Sequence, residues 1–114
     1  MYSSLGLENK ATLIQEYLSG IEYVVDTVSR DGVHKVVAVW QYDKRVANAS
    51  SFVYYGVILK AVDNDLMTSI VDYVLNVCTV LGISNGPGHA EVKLSNGKPC
   101  LVEIGARCHG GEGT

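Results

Sequence analysis

Apolar positions follow the short period of β-strands over the first half of the chain. Glu22 to Val28 is rich in Val and Tyr, and His34 to Tyr42 carries Val36, Val37, Val39 and Trp40, with Asp31-Gly32 between the two runs. Two β-rich runs joined around an Asp-Gly predict a hairpin. Asp43 to Ser51 is polar and small and reads as a loop, and Phe52 to Leu59 reads as a third strand. The period then changes. Leu66, Ile70, Val74, Val77 and Leu81 recur at spacings of three and four, beside Tyr73 and Val80, which predicts an amphipathic helix. Asn64 or Asp65 can cap its start, and Gly82 can end it. Ala90 to Leu94 and Cys100 to Ile104 form a second hairpin around Asn96-Gly97. Strand, strand, strand, helix, strand, strand predicts a single α+β domain, a mainly antiparallel sheet covered by at least one helix.

The second hairpin carries candidate chemistry. Ala90, Val92 and Leu94 alternate with Glu91 and Lys93, and Cys100, Val102 and Ile104 alternate with Leu101 and Glu103. If both apolar sets face one core, Glu91 and Glu103 share the opposite face. A two-residue Asn96-Gly97 loop would pair Leu94 with Pro99 and separate the glutamates. The apolar pattern therefore predicts an odd loop, Ser95-Asn96-Gly97 with a bulge. Two adjacent carboxylates repel unless a cation or a shared proton lies between them. Such hard oxygen ligands suit Mg²⁺, which completes its shell with water and phosphate oxygens. Arg107, four residues past Glu103, could meet a phosphate or a carboxylate. The other reading is that both glutamates only solvate the open face of a sheet.

Composition narrows the function class. The 114 residues are 47% hydrophobic and 18% charged, unlike a disordered tail. The net charge of −3, without a basic block, argues against nucleic acid and against an anionic membrane surface as partners. The longest apolar candidate, Leu66 to Ile83, is interrupted by Asp72 and Asn76, so no membrane span is expected. Met1-Tyr2-Ser3-Ser4 does not read as the start of a signal peptide. Three cysteines, Cys78, Cys100 and Cys108, have no metal-ligand spacing, and reduced thiols in the cytoplasm are the expectation.

Gly88-His89-Ala90-Glu91-Val92-Lys93-Leu94, followed by Leu101-Val102-Glu103-Ile104-Gly105-Ala106-Arg107, resembles the last strands of the ATP-grasp superfamily. The resemblance implies that Glu91 and Glu103 hold Mg²⁺ on the phosphates of ATP and that Arg107 steadies an acyl-phosphate intermediate. Gln15-Glu16-Tyr17-Leu18-Ser19-Gly20-Ile21-Glu22 resembles the hinge of that family. It implies backbone contacts to adenine from Glu16 and Leu18 and a ribose contact from Glu22, with Lys44 on a phosphate or the substrate. Within the superfamily the pattern looks most like ligases that join an amino-acid or peptide carboxylate to an amine. Many members carry Asn where Gly105 stands and Glu where Gln15 stands. The resemblance further implies residues 1–114 to be a C-terminal ATP-grasp subdomain, a fragment lacking the N-terminal lobes and inactive alone.

Outside these motifs the expectations are plainer. His89 reads as a hairpin-edge residue, Trp40 and Tyr42 as sheet packing, and Gly110-Gly111-Glu112-Gly113 as a frayed tail rather than an anion nest. Cys108-His109 with Cys100 does not read as a zinc site. The leading expectation is an ATP-dependent carboxylate–amine ligase acting on small-molecule substrates. The alternative is a non-catalytic module that forms a homodimer, or binds a partner, through a sheet face on which Leu101 and its neighbours are uncovered.

Overall fold

The computed structural model describes Gly6, Glu8 and residues 10–47 and 50–110, without the side chains of 46–47 and 50–54. The signal-peptide expectation at Met1–Ser4 and most of the tail expectation at 110–113 lie outside the described residues. Five strands and one helix follow in the order β1 (Glu22–Arg30), β2 (Val33–Ala47), β3 (Ser50–Leu59), α1 (Asp65–Val80), β4 (Gly86–Ser95) and β5 (Lys98–Gly105). The strands form one antiparallel sheet in the order β3-β2-β1-β4-β5. The α+β expectation holds.

Both hairpins turn through two residues in the left-handed conformation, Asp31 and Gly32 (φ 51° and 78°) and Asn96 and Gly97 (φ 51° and 74°). That backbone matches the twist of the flanking strands, and Asn-Gly and Asp-Gly adopt it most readily. β2 runs through the expected loop at Asp43–Ala47. Its polar residues hid the strand because this stretch extends beyond the start of β1, pairs only with β3, and so needs no buried face.

The helix starts at Asn64, whose side chain accepts a hydrogen bond from the Met67 N–H at 3.0 Å. It closes through Leu81, with Gly82 following at φ 70°. Its buried side is Met67, Ile70, Val74 and Cys78, one step round from the expected stripe; Leu66, Val80 and Leu81 are exposed. These four pack on Tyr23 and Val25 of β1, Val39 of β2, and Ala90 and Val92 of β4. Only one face of the sheet is covered by the helix. The other carries Glu22, Val24 and Asp26 of β1 at the centre of the sheet, and it is the face that holds the buried carboxylates.

Ile70 is fully buried at the middle of this layer. Ile70→Ala should therefore destabilise the chain by about 2–5 kcal/mol, the usual cost of truncating a core aliphatic side chain. Urea denaturation at equilibrium measures this, and a loss below ~1 kcal/mol would mean the helix is not packed as described.

Candidate functional site

The register of β4 against β5 decides what the open face carries. Ser95 pairs with Lys98 and Leu94 with Pro99, so the turn has two residues, not the odd loop expected. Such a turn places Cys100 opposite Lys93 and Leu101 opposite Val92. One extra residue, Val102, then interrupts the ladder, and Glu91 pairs with Glu103 and Ala90 with Ile104. The bulge supplies the shift that the apolar pattern demanded of the turn. Its consequence is a local inversion: Leu101 packs against the core under Tyr73, whose hydroxyl oxygen accepts from the Leu101 N–H at 3.0 Å, while Cys100 shares the open face with Lys93. The expected inward Cys100 and uncovered Leu101 are both reversed.

Three cross-sheet rows follow on the open face. In the first, Tyr42, Glu22 and Lys93 are neighbours; in the second, Trp40, Val24, Glu91 and Glu103; in the third, Ala38, Asp26, His89 and Gly105. Glu22 is buried, and Oε1 accepts a 2.5 Å bond from Lys44 Nζ while Oε2 lies 3.7 Å from Lys93 Nζ. Burial, the charges of Glu22 and Glu103, and a hydrogen bond with Glu22 push the Glu91 carboxyl above its usual range, only partly opposed by Lys44. Glu103 is more exposed, with Arg107 Nη2 at 4.0 Å from Oε1. Carboxylates crowded in this way offer the oxygen donors that a hard cation takes.

Glu22 and Lys44 line a cleft of about 470 Å³ with Gly20, Ile21, Tyr42 and Asp43. Glu16 and Leu18 line a neighbouring one of about 250 Å³ with Cys100, Leu101 and Val102; Tyr17 and Lys93 border both. Lys93 Nζ donates to the Leu18 carbonyl at 2.9 Å, and Gln15 Nε2 donates to the Val102 carbonyl at 3.1 Å, so segment 15–18 is tied to β4 and to the bulge of β5. Arg107 folds back over Gly105: a side chain there would meet its Cγ at 3.1 Å and Nε at 3.2 Å. A side chain at this position would require the arginine to shift.

The third row contains groups that sequence reasoning missed. His89 is buried in the body of β4, not at a hairpin edge, and its Nδ1 lies 2.7 Å from Asp26 Oδ1. Trp40 Nε1 donates to Asp26 Oδ2 at 2.7 Å, so Trp40 is more than sheet packing. His109 stacks on Trp40 at 5.8 Å between ring centroids. The available signal was Asp26 itself, a lone acid inside the run Tyr23-Val24-Val25-Asp26-Thr27-Val28.

A family model described as an ATP-grasp domain matches residues 1–114. The chain belongs to the ATP-grasp family. It is 38% identical over 107 residues to dapdiamide A synthase of Enterobacter agglomerans, covering 93% of this chain and 25% of that protein. Carnosine synthase 1 of Gallus gallus is 30% identical over 101 residues, covering 88% of this chain and 11% of that one. The fold is similar to a crystal structure of L-amino acid ligase from Bacillus licheniformis, with a TM-score of 0.67, 29% identity and coverage of 82% of this chain and 24% of that one. Phosphoribosylglycinamide synthetase from Anaerococcus prevotii has the same fold at a TM-score of 0.61 and 17% identity, over 81% of this chain and 23% of that one. The ATP-grasp chain described here thus spans about a quarter of the first curated relative. Among its described residues no helix is long and apolar enough to cross a membrane, and Cys78, Cys100 and Cys108 are free thiols.

The raised carboxyl of Glu91 has a measurable consequence. A folded-state value above the unfolded one favours folding at low pH, and that contribution is lost as pH rises through the folded value. Without divalent cations, Glu91→Gln should raise the melting temperature at pH 7, and the gain should shrink towards pH 4. An equal gain at both pH values, in thermal melts followed by circular dichroism, would show that the crowding is not felt.

Proposed function

We propose that this chain is the nucleotide- and Mg²⁺-binding C-terminal part of an ATP-dependent ligase that joins a small-molecule carboxylate to an amine. The observation that carries the reading is the pairing of Glu91 with Glu103 on the open face, beside the cleft lined by Glu22 and Lys44. Two carboxylates of this kind fit Mg²⁺, a hard cation that takes one or two protein carboxylates and completes its shell with phosphate oxygens. Glu91 and Glu103 would hold the ion, which would supply charge neutralisation for phosphoryl transfer.

The chain's own groups would act as follows. Glu16 and Leu18 present backbone groups to the adenine edge, and Glu22 accepts hydrogen bonds from the ribose hydroxyls. Lys44, already fixed by Glu22, reaches the phosphates or the carboxylate substrate. The carboxylate attacks the γ-phosphorus, giving an acyl phosphate and ADP. The amine then attacks the acyl carbon, and phosphate leaves with the C–N bond formed. Arg107 lies at the edge of the carboxylate pair and would stabilise the oxyanion of that adduct. Exposed apolar residues such as Leu13, Ile14, Ile58 and Leu59 would pack on further lobes of the parent protein.

Self-association through exposed apolar residues is the competing reading. Light scattering with and without Mg·ATP distinguishes them, since a stable dimer indifferent to nucleotide would favour the interaction module. In the intact enzyme, Glu103→Ala should abolish turnover. Its stability should shift by no more than about 0.5 kcal/mol, because the side chain is largely exposed. Unchanged steady-state rates in that variant would refute the assignment.

A further inference from the structure

The third row of the open face holds a second cluster of cation ligands, different in kind from the glutamate pair. Asp26, His89 and His109 each offer one ligand atom, and these atoms all lie within 4.8 Å of one another. His89 Nδ1 is 2.7 Å from Asp26 Oδ1, and His109 Nδ1 is 4.0 Å from Asp26 Oδ2. Tetrahedral Zn²⁺ with bonds of about 2.0–2.1 Å separates its ligand atoms by roughly 3.3 Å. The two spacings to Asp26 straddle that value, and no pair of ligand atoms in the set is more than 4.8 Å apart.

A second, independent observation points to a ligand. The His109 side chain is 8% exposed, and its Nδ1 is buried without a hydrogen-bond partner. Burying a polar atom unsatisfied is costly, and such an atom in a native structure calls for an unseen partner. Asp26 Oδ2 is not that partner, because it is already bonded by Trp40 and lies too far for a hydrogen bond to His109; the atom needs a group that binds an imidazole nitrogen. A metal ion meets that requirement.

Asp26 has the outer hydrogen bond typical of a ligating carboxylate, and a second carboxylate stands near His89. Trp40 Nε1 holds the Asp26 carboxylate, and Glu91 Oε1 lies 3.8 Å from Nε2 of His89, the nitrogen opposite the one facing Asp26. A cleft of about 340 Å³, bordered by Val37, Ala38, Pro87 and Cys108, opens onto Asp26 and His109 and provides a way in from solvent. Two imidazoles with one carboxylate suit Zn²⁺, Co²⁺ or Fe²⁺ rather than Mg²⁺.

We propose that Asp26, His89 and His109 form a three-ligand site for a divalent transition metal of the Zn²⁺ class, which clasps the segment after β5 onto the open face. His109 is two residues beyond Arg107. Anchoring it to β1 and β4 therefore fixes where the arginine stands. The site requires neither nucleotide nor ligase activity.

Metal-free 114-residue chain, kept in excess Mg²⁺ to occupy the glutamate pair, is titrated with Co²⁺ and followed by visible absorption. One equivalent should bind with d–d bands, and Zn²⁺ should displace it. His109→Ala should weaken binding at least roughly tenfold, in line with losses seen when a site's supporting groups are removed. Circular dichroism of that variant, and of His109→Gln, checks that the fold is kept. Trypsin cleavage after Arg107 should slow with Zn²⁺ in the parent chain but not in either variant. The site is refuted if Co²⁺ does not bind under saturating Mg²⁺, if His109→Ala binds equally well, or if Cys108→Ser or Glu91→Gln alone abolishes binding.

Discussion

One unpaired residue, Val102, fixes the relation between the two faces of the sheet. A β-strand alternates its side chains, so a two-residue turn commits every position of β5 to a face at once. Without the extra residue, Ile104 would point away from the helix and Glu103 would be driven into the layer of Val92 and Ala90. With it, Ile104 packs against the core and Glu103 stands opposite Glu91. A bulge of this kind also bends its strand and increases the local twist, and bulges are over-represented near active sites. Here it also leaves the Val102 carbonyl facing Gln15, which joins the segment before β1 to the edge strand.

The elements were legible because their signals are local. Asp31-Gly32 and Asn96-Gly97 impose their turns by backbone conformation, and Asn64 caps the helix with its own side chain. The facing of Glu91 and Glu103 was also readable, since burying Ala90 and Ile104 together permits no other phase. Where the shift occurs was not readable. A bulge at Val102 and an odd loop at Asn96-Gly97 satisfy the same apolar pattern beyond it, and they differ only for Cys100 and Leu101. The helix stripe was misread by one step because Met67 and Cys78, not Leu66 and Leu81, join the buried cluster that contains Val25 and Val39. The extended β2 was hidden because Asp43, Lys44 and Arg45 are satisfied by ion pairs, with no alternation to betray a strand.

Pairings across strands were the least visible part. Glu22 and Lys44 are 22 positions apart and Asp26 and His89 are 63 apart, and no local period connects them. Both pairs exist because β1 lies at the centre of the sheet, where its charged residues have neighbours on both sides and little solvent. A carboxylate so placed must be partnered or neutral. The requirement is met differently in each row: Glu22 by two lysines, Asp26 by Trp40 and His89, and Glu91 by holding its proton more tightly.

That order along the sheet has a chemical meaning. Lysines beside Glu22 make the first row favourable to anionic oxygens, while the carboxylates of the second row favour a hard cation. The imidazoles of the third row favour a softer one. Adjacent rows of a sheet lie only about 7 Å apart on one face, the spacing of residues i and i+2. An anionic chain crossing the first two rows would meet the lysines directly and the carboxylates only with a cation between. Arg107, which folds over Gly105 at the border of the second and third rows, is the next positive group along that line. Its position depends on the short segment that His109 presses against Trp40, so the packing of one histidine bears on the far end of the open face.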